Sequence, residues 1–196
     1  MDPVIVKVTA SVEIAAPPST VFRLVCDPDA KARLNPSVEV IRIERETPGP
    51  LGVGSATFYR LQKGHRIFEY RMHCLRFEAD RLIESRADLP TLFAVRVELE
   101  ALPSGSRLTQ TETCEVGLQV LEGVATSQRA ALAWKLVKTL AMVAPELAHE
   151  TCALVLRRRA EWLREGMQPE LLRWLQRIKA HVERSVRVSA PAPRAS

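Results

Sequence analysis

The segment TLFAVRVELEALPSGSRLTQTETCEVG, residues 91–117, decides the fold class of this chain. It contains two runs, 91–102 and 107–117, in which apolar and polar side chains alternate. Alternation with a period of two residues is typical of a β-strand that has one buried face. The joint between the runs, Pro103-Ser104-Gly105-Ser106, is short and consists of turn-forming residues. The segment therefore predicts two consecutive antiparallel strands.

Five further runs of the same kind precede this pair. In residues 4–14, the apolar residues from Val4 to Ile14 fall on one face and the polar residues on the other. Turn-forming residues such as Gly64 separate the later runs. Together with the first pair, the pattern predicts a seven-stranded antiparallel sheet. The four remaining runs cover residues 38–45, 56–63, 66–76 and 80–87.

Two short helices are predicted between the first and second strands. The first carries the apolar residues from Val21 to Val25 and ends at Asp27-Pro28. The second covers residues 29–34 and ends at Asn35-Pro36. Each helix is expected to end there because the residue before a proline avoids the helical region.

The last third of the chain is predicted to be helical from about residue 118 onwards, where apolar residues recur at helical spacing. A long helix is expected to begin at Pro145 and to end near Gly166, since proline suits the first turn and glycine the C-terminal stop. A last helix is expected to begin at Pro169. Its apolar side, which should pack on the body of the protein, consists of Leu171, Leu172, Leu175, Ile178 and Val182.

This order of elements predicts an α+β fold. A sheet that is apolar on one face must cover that face, and the helix over residues 145–165 is the natural cover. The expected architecture is a seven-stranded, curved antiparallel sheet wrapped around a long C-terminal helix, with a pocket in the space between them. We expect residues 1–166 to form this domain, and residues 167–196 to form a helical extension with a disordered tail.

Composition and charge exclude several classes of protein. The chain has 196 residues, of which 46% are apolar, so wholesale disorder is excluded. Its net charge is +5, but residues 1–144 carry 18 basic and 17 acidic side chains, which argues against a nucleic-acid-binding body. Residues 145–196 carry 10 basic and 6 acidic side chains. This basic segment, with Trp174, could contact an anionic membrane or a protein partner, or it could be the solvated face of a packed helix.

The cysteines and histidines give no sign of a metal site. No two cysteines form a CxxC pair, and the histidines are scattered along the chain. The N-terminus lacks the pattern of a signal peptide, and no run of about 18 apolar residues occurs. We therefore expect a cytoplasmic protein without cofactor or metal, whose thiols are reduced. The cysteines are Cys26, Cys74, Cys114 and Cys152.

Three segments carry a resemblance to a known family. They are Val12–Pro18 with Thr20-Val21-Phe22 and Asp27-Pro28, Gly49–Ser55 before a strand, and Gly105–Thr109 at the start of the last strand. In their order and spacing, they resemble the START and polyketide-cyclase-like superfamily (SRPBCC) over residues 4–166. The resemblance implies a helix-grip fold, like that of the birch pollen allergen, with an apolar cavity. It does not imply one activity, because the superfamily includes lipid carriers, cyclases, hormone binders and quinone chaperones.

The alternation within the strands predicts which side chains face the cavity. In 66–76, Phe68, Tyr70, Met72 and Cys74 share one face, and in 91–102, Phe93, Val95 and Val97 share another. The register is strongly set because burial of each large apolar side chain contributes roughly 1.5–3 kcal/mol. These residues could line a ligand cavity or could fill a solid core, and the resemblance favours the cavity.

The strand over 107–117 has two possible orientations. In one, Leu108, Gln110, Glu112, Cys114 and Val116 point inward, and in the other the alternating threonines do. A buried carboxylate must be paired, protonated or in contact with water or a ligand. If Glu112 points inward, it could act as a general base, and Tyr70 could donate a hydrogen bond to a ligand carbonyl.

Three functions remain open at this point. The first is binding, and possibly transport, of a small apolar molecule such as a lipid, quinone or polyketide-like aromatic. The expected ligand-binding residues are Phe68, Tyr70, Met72, Phe93, Val95, Val97, Gln110, Glu112 and Cys114. The second is a polyketide cyclase or dehydratase with Glu112 and Tyr70 as catalytic residues. The third is an interaction protein that docks on a membrane or protein through its basic C-terminal helix.

Overall fold

The seven predicted strands form one antiparallel sheet in a computed structural model, which describes residues 3–116 and 145–189. The strands are β1 (Val4–Ile14), β2 (Glu39–Arg45), β3 (Ala56–Lys63), β4 (Arg66–Glu78), β5 (Leu82–Ala87), β6 (Phe93–Leu102) and β7 (Gly105–Val116). Their order in the sheet is β1-β7-β6-β5-β4-β3-β2, so β1 and β2 are the two edges. The helices are α1 (Pro18–Val25), α2 (Pro28–Arg33) and α3 (Pro145–Ser189). The predicted helical pattern of residues 118–144 and the predicted tail at 190–196 lie outside the described residues.

The inner face of the sheet is set by the pairing of its first and last strands. β1 pairs with β7 along its whole length, from Val4 opposite Val116 to Ile14 opposite Ser106. Val6, Val8 and Leu108 are almost completely buried on the inner face. On the outer face, the hydroxyl of Thr9 is 3.0 Å from that of Thr111. A shift of one residue would reverse these faces, so the apolar pattern holds the register.

Helix α2 begins with a side-chain cap. The Asp27 carboxylate accepts a hydrogen bond of 3.0 Å from the backbone N–H of Ala30, and Pro28 occupies the first turn. Both features favour the start of a helix. The indole N–H of Trp174 donates a hydrogen bond of 3.0 Å to the carbonyl oxygen of Lys31. This bond connects α2 directly to α3.

Helix α3 corrects two expectations about the C-terminal segment. It runs unbroken from Pro145 to Ser189, so it does not end at Gly166 and no new helix begins at Pro169. Glycine and proline inside a helix cost about 1 and 3 kcal/mol, respectively. Apolar side chains on both sides of the two residues are buried in the same core, which offsets that cost. They are Leu156, Ala160, Leu171, Leu175, Ile178 and Val182.

The part of α3 that covers the sheet extends beyond the predicted cover, residues 145–165. The cavity is lined by α3 residues between Leu163 and Trp174. The proposed domain boundary at residue 166 therefore falls inside a continuous helix that has buried residues on both sides. Leu172, predicted to pack on the body, is 39% exposed instead. A contact of the basic side chains with a membrane or a partner stays a prediction.

Polar side chains of α3 occupy the free edge of β1. Gln168 donates a hydrogen bond of 2.6 Å to the carbonyl oxygen of Thr9. Lys179 donates one of 2.6 Å to the carbonyl oxygen of Glu13. The carboxylate of Glu183 accepts one of 3.0 Å from the backbone N–H of Ala15. Backbone groups of an edge strand, which would otherwise be free to pair with another chain, are thus satisfied within the protein.

Candidate functional site

A cavity of about 730 Å³ lies between the inner face of the sheet and the helices α2 and α3. Most of its lining is apolar or aromatic, with Val25 and Ala32 on the helical side and Ile83 on the sheet. A volume of this size is within the usual range of small-molecule sites in proteins. The interior is therefore hollow rather than packed solid, as the resemblance implied.

All nine predicted ligand-binding residues line this cavity. All nine come from three strands that are not all neighbours, so the curved sheet brings them together. Their role in binding a ligand stays a prediction. They are Phe68, Tyr70 and Met72 of β4, Phe93, Val95 and Val97 of β6, and Gln110, Glu112 and Cys114 of β7.

The orientation of β7, which the sequence left open, is the one with Glu112 inside. Gln110 and Glu112 line the cavity, and Gln110 is only 1% exposed. The threonines lie on the other face, where Thr109 contacts the hydroxyl of Ser11 at 2.8 Å and Thr111 contacts that of Thr9. These cross-strand hydroxyl pairs satisfy polar groups that would be costly inside.

Gln110 and Glu112 form a polar pair inside the apolar wall. The amide nitrogen of Gln110 donates a hydrogen bond of 2.8 Å to a carboxylate oxygen of Glu112. The amide oxygen of Gln110 is buried and has no hydrogen-bond partner among the described residues. Burial raises the pKa of the Glu112 carboxyl, and the hydrogen bond from Gln110 opposes that effect. A buried acceptor without a partner is a place where a ligand or a water molecule would donate.

Lys31 is a polar residue of the cavity that the sequence analysis did not identify. It projects from α2 into the cavity, and its ammonium nitrogen lies 5.1 Å from the centre of the Trp174 ring. Burial lowers the pKa of Lys31 to about 8, whereas the negative charge of Glu112 favours the protonated amine. No carboxylate among the described residues forms an ion pair with Lys31. Lys31 lies on the same side of this short helix as Pro28 and Ala32, and only the structure shows that this side is buried.

The position of Trp174 corrects the expectation that it could sit at a membrane interface. It lines the cavity and is only partly exposed. Its ring lies beneath the Lys31 ammonium, an arrangement in which the negative face of the indole attracts the cation. Its N–H donates a hydrogen bond to the carbonyl oxygen of Lys31. Trp174 thus contacts Lys31 at two points, the side-chain ammonium group and the backbone carbonyl.

Aromatic rings cover another part of the cavity wall. Tyr59, also missed from the sequence, stacks on Tyr70 with ring centres 5.3 Å apart, and Phe93 meets Tyr70 edge-on at 6.0 Å. Burial raises the pKa of Tyr59 to about 12 and raises that of Tyr70 further. Both phenols are therefore neutral near pH 7, and they can donate hydrogen bonds but release protons poorly.

One end of the cavity combines an ion pair with exposed apolar side chains. Lys63 of β3 and Glu170 of α3 both line the cavity and form an ion pair of 2.5 Å. Ile67 and Phe68, which follow the turn after Lys63, also line it and are 52% and 44% exposed. Exposed apolar residues at the rim of an apolar hollow indicate an entrance for an apolar molecule.

The substitution Lys31→Met is expected to stabilise the protein near neutral pH. Because the pKa of Lys31 in the folded protein is about 8, the unfolded chain binds more protons between pH 8 and 10.5. Stability of the wild type therefore rises with pH through this window and is reduced below it. We expect the variant to gain about 1–3 kcal/mol at pH 7, and less at pH 10.

Urea unfolding at the two pH values measures this difference. Lys7→Met, on the exposed face of β1, is the matched control and should change stability little at either pH. A Lys31→Met protein that is less stable than the wild type at pH 7 would show that the buried amine is not a destabilising charge.

Together, the fold and the cavity define a helix-grip protein, in which a curved sheet closes on a long helix. The model of the family described as polyketide cyclase / dehydrase and lipid transport matches residues 6–148. The chain belongs to this family, which confirms the resemblance seen in the sequence. No curated protein matches the chain significantly.

Several solved structures have the same fold. The di-domain ARO/CYC StfQ from the steffimycin biosynthetic pathway has a TM-score of 0.65 at 13% identity, covering 93% of this chain and 52% of its own. This chain thus spans about half of StfQ. TTHA0849 from Thermus thermophilus has a TM-score of 0.57 at 16% identity, covering 94% and 99%. Ara h 8.0201 has a TM-score of 0.50 at 11% identity, covering 91% and 98%. At these identities, the similarity shows the fold.

Two further observations concern ions and membranes. In the parts of the chain that the structure describes, no three His, Cys, Asp or Glu side chains come together in a way that could hold a metal ion. Within residues 3–116 and 145–189, none of the helices has a stretch long and apolar enough to cross a bilayer.

Proposed function

We propose that this protein binds one small, largely apolar molecule in the cavity beneath α3. The observation that carries the proposal is a hollow of about 730 Å³ lined by apolar and aromatic side chains. Apolar pockets with a few convergent polar groups are the usual form of small-molecule sites. Lys31, Gln110 and Glu112 provide such groups here. The family's link with lipid transport supports this interpretation.

The direct test is native mass spectrometry of the protein purified without organic solvent, combined with extraction of bound lipids. We expect a ligand of a few hundred daltons or, for empty protein, saturable binding of the neutral fluorescent probe N-phenyl-1-naphthylamine. If no ligand copurifies and the probe does not bind at micromolar concentration, the proposal is contradicted.

Val95→Trp is expected to weaken binding of the same probe at least tenfold. Val95 faces the cavity, so an indole ring in its place would occupy space that the ligand needs. Thr113→Trp, on the opposite face of the adjoining strand, is the matched control and should bind as the wild type does. Fluorescence titration of the three proteins measures the dissociation constants. If Val95→Trp binds the probe as tightly as the wild type does, the probe binds outside the cavity.

A second candidate function is a cyclase or dehydratase that acts on a polyketide-like substrate. The observation that favours it is a carboxyl group, Glu112, whose pKa burial raises inside a ligand-sized cavity. A carboxyl of this kind can accept a proton from a carbon next to a carbonyl. Tyr70 would donate a hydrogen bond to the carbonyl oxygen. StfQ, which has the same fold, is named as an ARO/CYC protein.

Glu112→Gln is expected to lower turnover of a cyclising polyketide substrate at least a hundredfold, because glutamine cannot accept the proton. The amide still accepts the hydrogen bond from Gln110, so the fold should persist, as circular dichroism would show. Glu100→Gln, at an exposed position of the adjoining strand β6, serves as the matched control. Unchanged turnover in Glu112→Gln would remove this residue from the mechanism.

A further inference from the structure

The cavity contains a primary amine that is placed for reaction as well as for binding. Lys31 projects into an apolar space from a short helix, and the indole of Trp174 holds it at both ends. The other lysine of the described lining, Lys63, is paired with Glu170. Lys31 has no such partner in the described part of the chain, although the Glu112 charge acts on it across the cavity.

We propose that the cavity binds apolar aldehydes or ketones covalently, by condensation of the Lys31 amine with their carbonyl group to form an imine. The inference rests on the proposed function, because it assumes that apolar molecules enter the cavity. It goes further by naming the reactive group of the ligand and the atom that it joins.

Condensation balances without any other reactant. The nitrogen lone pair of neutral Lys31 attacks the carbonyl carbon and forms a C–N bond. The π electron pair of the carbonyl moves onto its oxygen, which takes up a proton as the nitrogen loses one, and this gives a carbinolamine. The hydroxyl group then leaves as water while the nitrogen loses its second proton and a C=N bond forms. Glu112 can protonate the leaving hydroxyl and receive the proton from nitrogen. Hydrolysis reverses the process and releases the carbonyl compound unchanged.

The surroundings of Lys31 favour the neutral amine that the reaction needs. Burial lowers its pKa to about 8, so about a tenth of the molecules carry a neutral amine at pH 7. Desolvated lysines in apolar pockets are the usual source of such nucleophiles. The titratable groups that act on Lys31 are the Glu112 carboxylate of β7 and the Cys26 thiol after α1. Lys63 of β3 and Glu170 of α3 also line the cavity and are paired with each other. The pKa of the Cys26 thiol is raised to about 11, so this thiol is neutral.

Reductive trapping with decanal and cyanoborohydride tests the proposal on the full-length protein. Cyanoborohydride converts an imine to a stable secondary amine, and peptide mass spectrometry locates it. We expect Lys31 to be alkylated at least tenfold faster than the exposed Lys7 of the same molecules. Its rate should rise from pH 6 to pH 8, as the neutral amine becomes available. Decanol, which cannot condense, should compete and slow the labelling of Lys31 only.

Two variants complete the test. The Lys31→Met protein should lose the fast labelling and still bind decanol. In the Glu112→Gln protein, Lys31 should still be labelled, but more slowly than in the wild type. Labelling of Lys31 no faster than Lys7, or no protection by decanol, would overturn the imine proposal. If decanol binds normally in that case, the binding function stands. If neither decanol nor decanal binds to the wild type, both proposals fail.

Discussion

A chain that ends at residue 166 is expected not to fold, although the sequence pattern places a domain boundary there. The truncation removes four side chains of the core, each at most 3% exposed. At roughly 1.5–3 kcal/mol each, their burial contributes on the order of 6–12 kcal/mol, which is comparable with the whole stability of a domain. It also removes the three α3 side chains that bind the backbone of β1 and of Ala15, the residue after it. The four core residues are Leu171, Leu175, Ile178 and Val182.

A pair of point variants makes the same prediction measurable in a chain of full length. Leu175→Ala removes a side chain with no exposed surface and should lower the free energy of unfolding by about 2–5 kcal/mol. Leu172→Ala, three residues away and 39% exposed, should cost less than about 1 kcal/mol. Urea unfolding followed by circular dichroism gives both values. A truncated chain with native circular dichroism and a cooperative transition would show that residues 167–196 are an appendage after all.

Gly105→Ala is expected to destabilise the protein by about 2–5 kcal/mol, from the sum of left-handed strain and overpacking. Gly105 starts β7 with φ at +148°, a conformation that residues with a side chain rarely adopt. A Cβ there would lie 2.1 Å from the carbonyl oxygen of Ile14, which belongs to the backbone and cannot rotate away. The end of β1 and the start of β7 would have to separate.

Gly64→Ala is the matched control for this substitution. Gly64 also has a positive φ, +60°, but no atom lies within 4 Å of a Cβ built on it. Its substitution should cost only about 1–2 kcal/mol, the strain of the left-handed conformation alone. Thermal unfolding of the two variants separates the steric clash from the backbone strain. Equal losses of stability would mean that the contact with Ile14 relaxes at little cost.

The sheet was predictable because its signal is local. Each strand alternates with a period of two, and in β4 and β6 only one face is apolar enough to be buried. For that reason, the inward positions of Phe68 and Val95 follow from the sequence. β7 was ambiguous since Glu112 and the threonines offer polar groups on both faces. Only the pairing with β1, where Thr9 and Ser11 meet the threonines, decides its orientation.

The helical side of the cavity was harder to predict because long-range packing decides it. Gly166 and Pro169 are strong local stop signals, and the burial of residues on both sides overrides them. Lys31 and Trp174 become neighbours only when α2 and α3 pack together, 143 residues apart in the chain. No local pattern reports such a contact. Of the charged groups in the candidate site, Glu112 was therefore predicted from the sequence, whereas Lys31, which carries the opposite charge, was not.

The side chains of α3 that hold the edge of β1 also bear on self-association. With that edge occupied, β2 is the remaining edge of the described sheet, and its alternating charges oppose strand pairing between copies. Partial detachment of the C-terminal half of α3 on heating would expose the backbone of β1 together with the apolar residues behind it. Thermal aggregation of the protein should therefore begin where α3 detaches from β1, at a lower temperature than unfolding of the rest of the sheet.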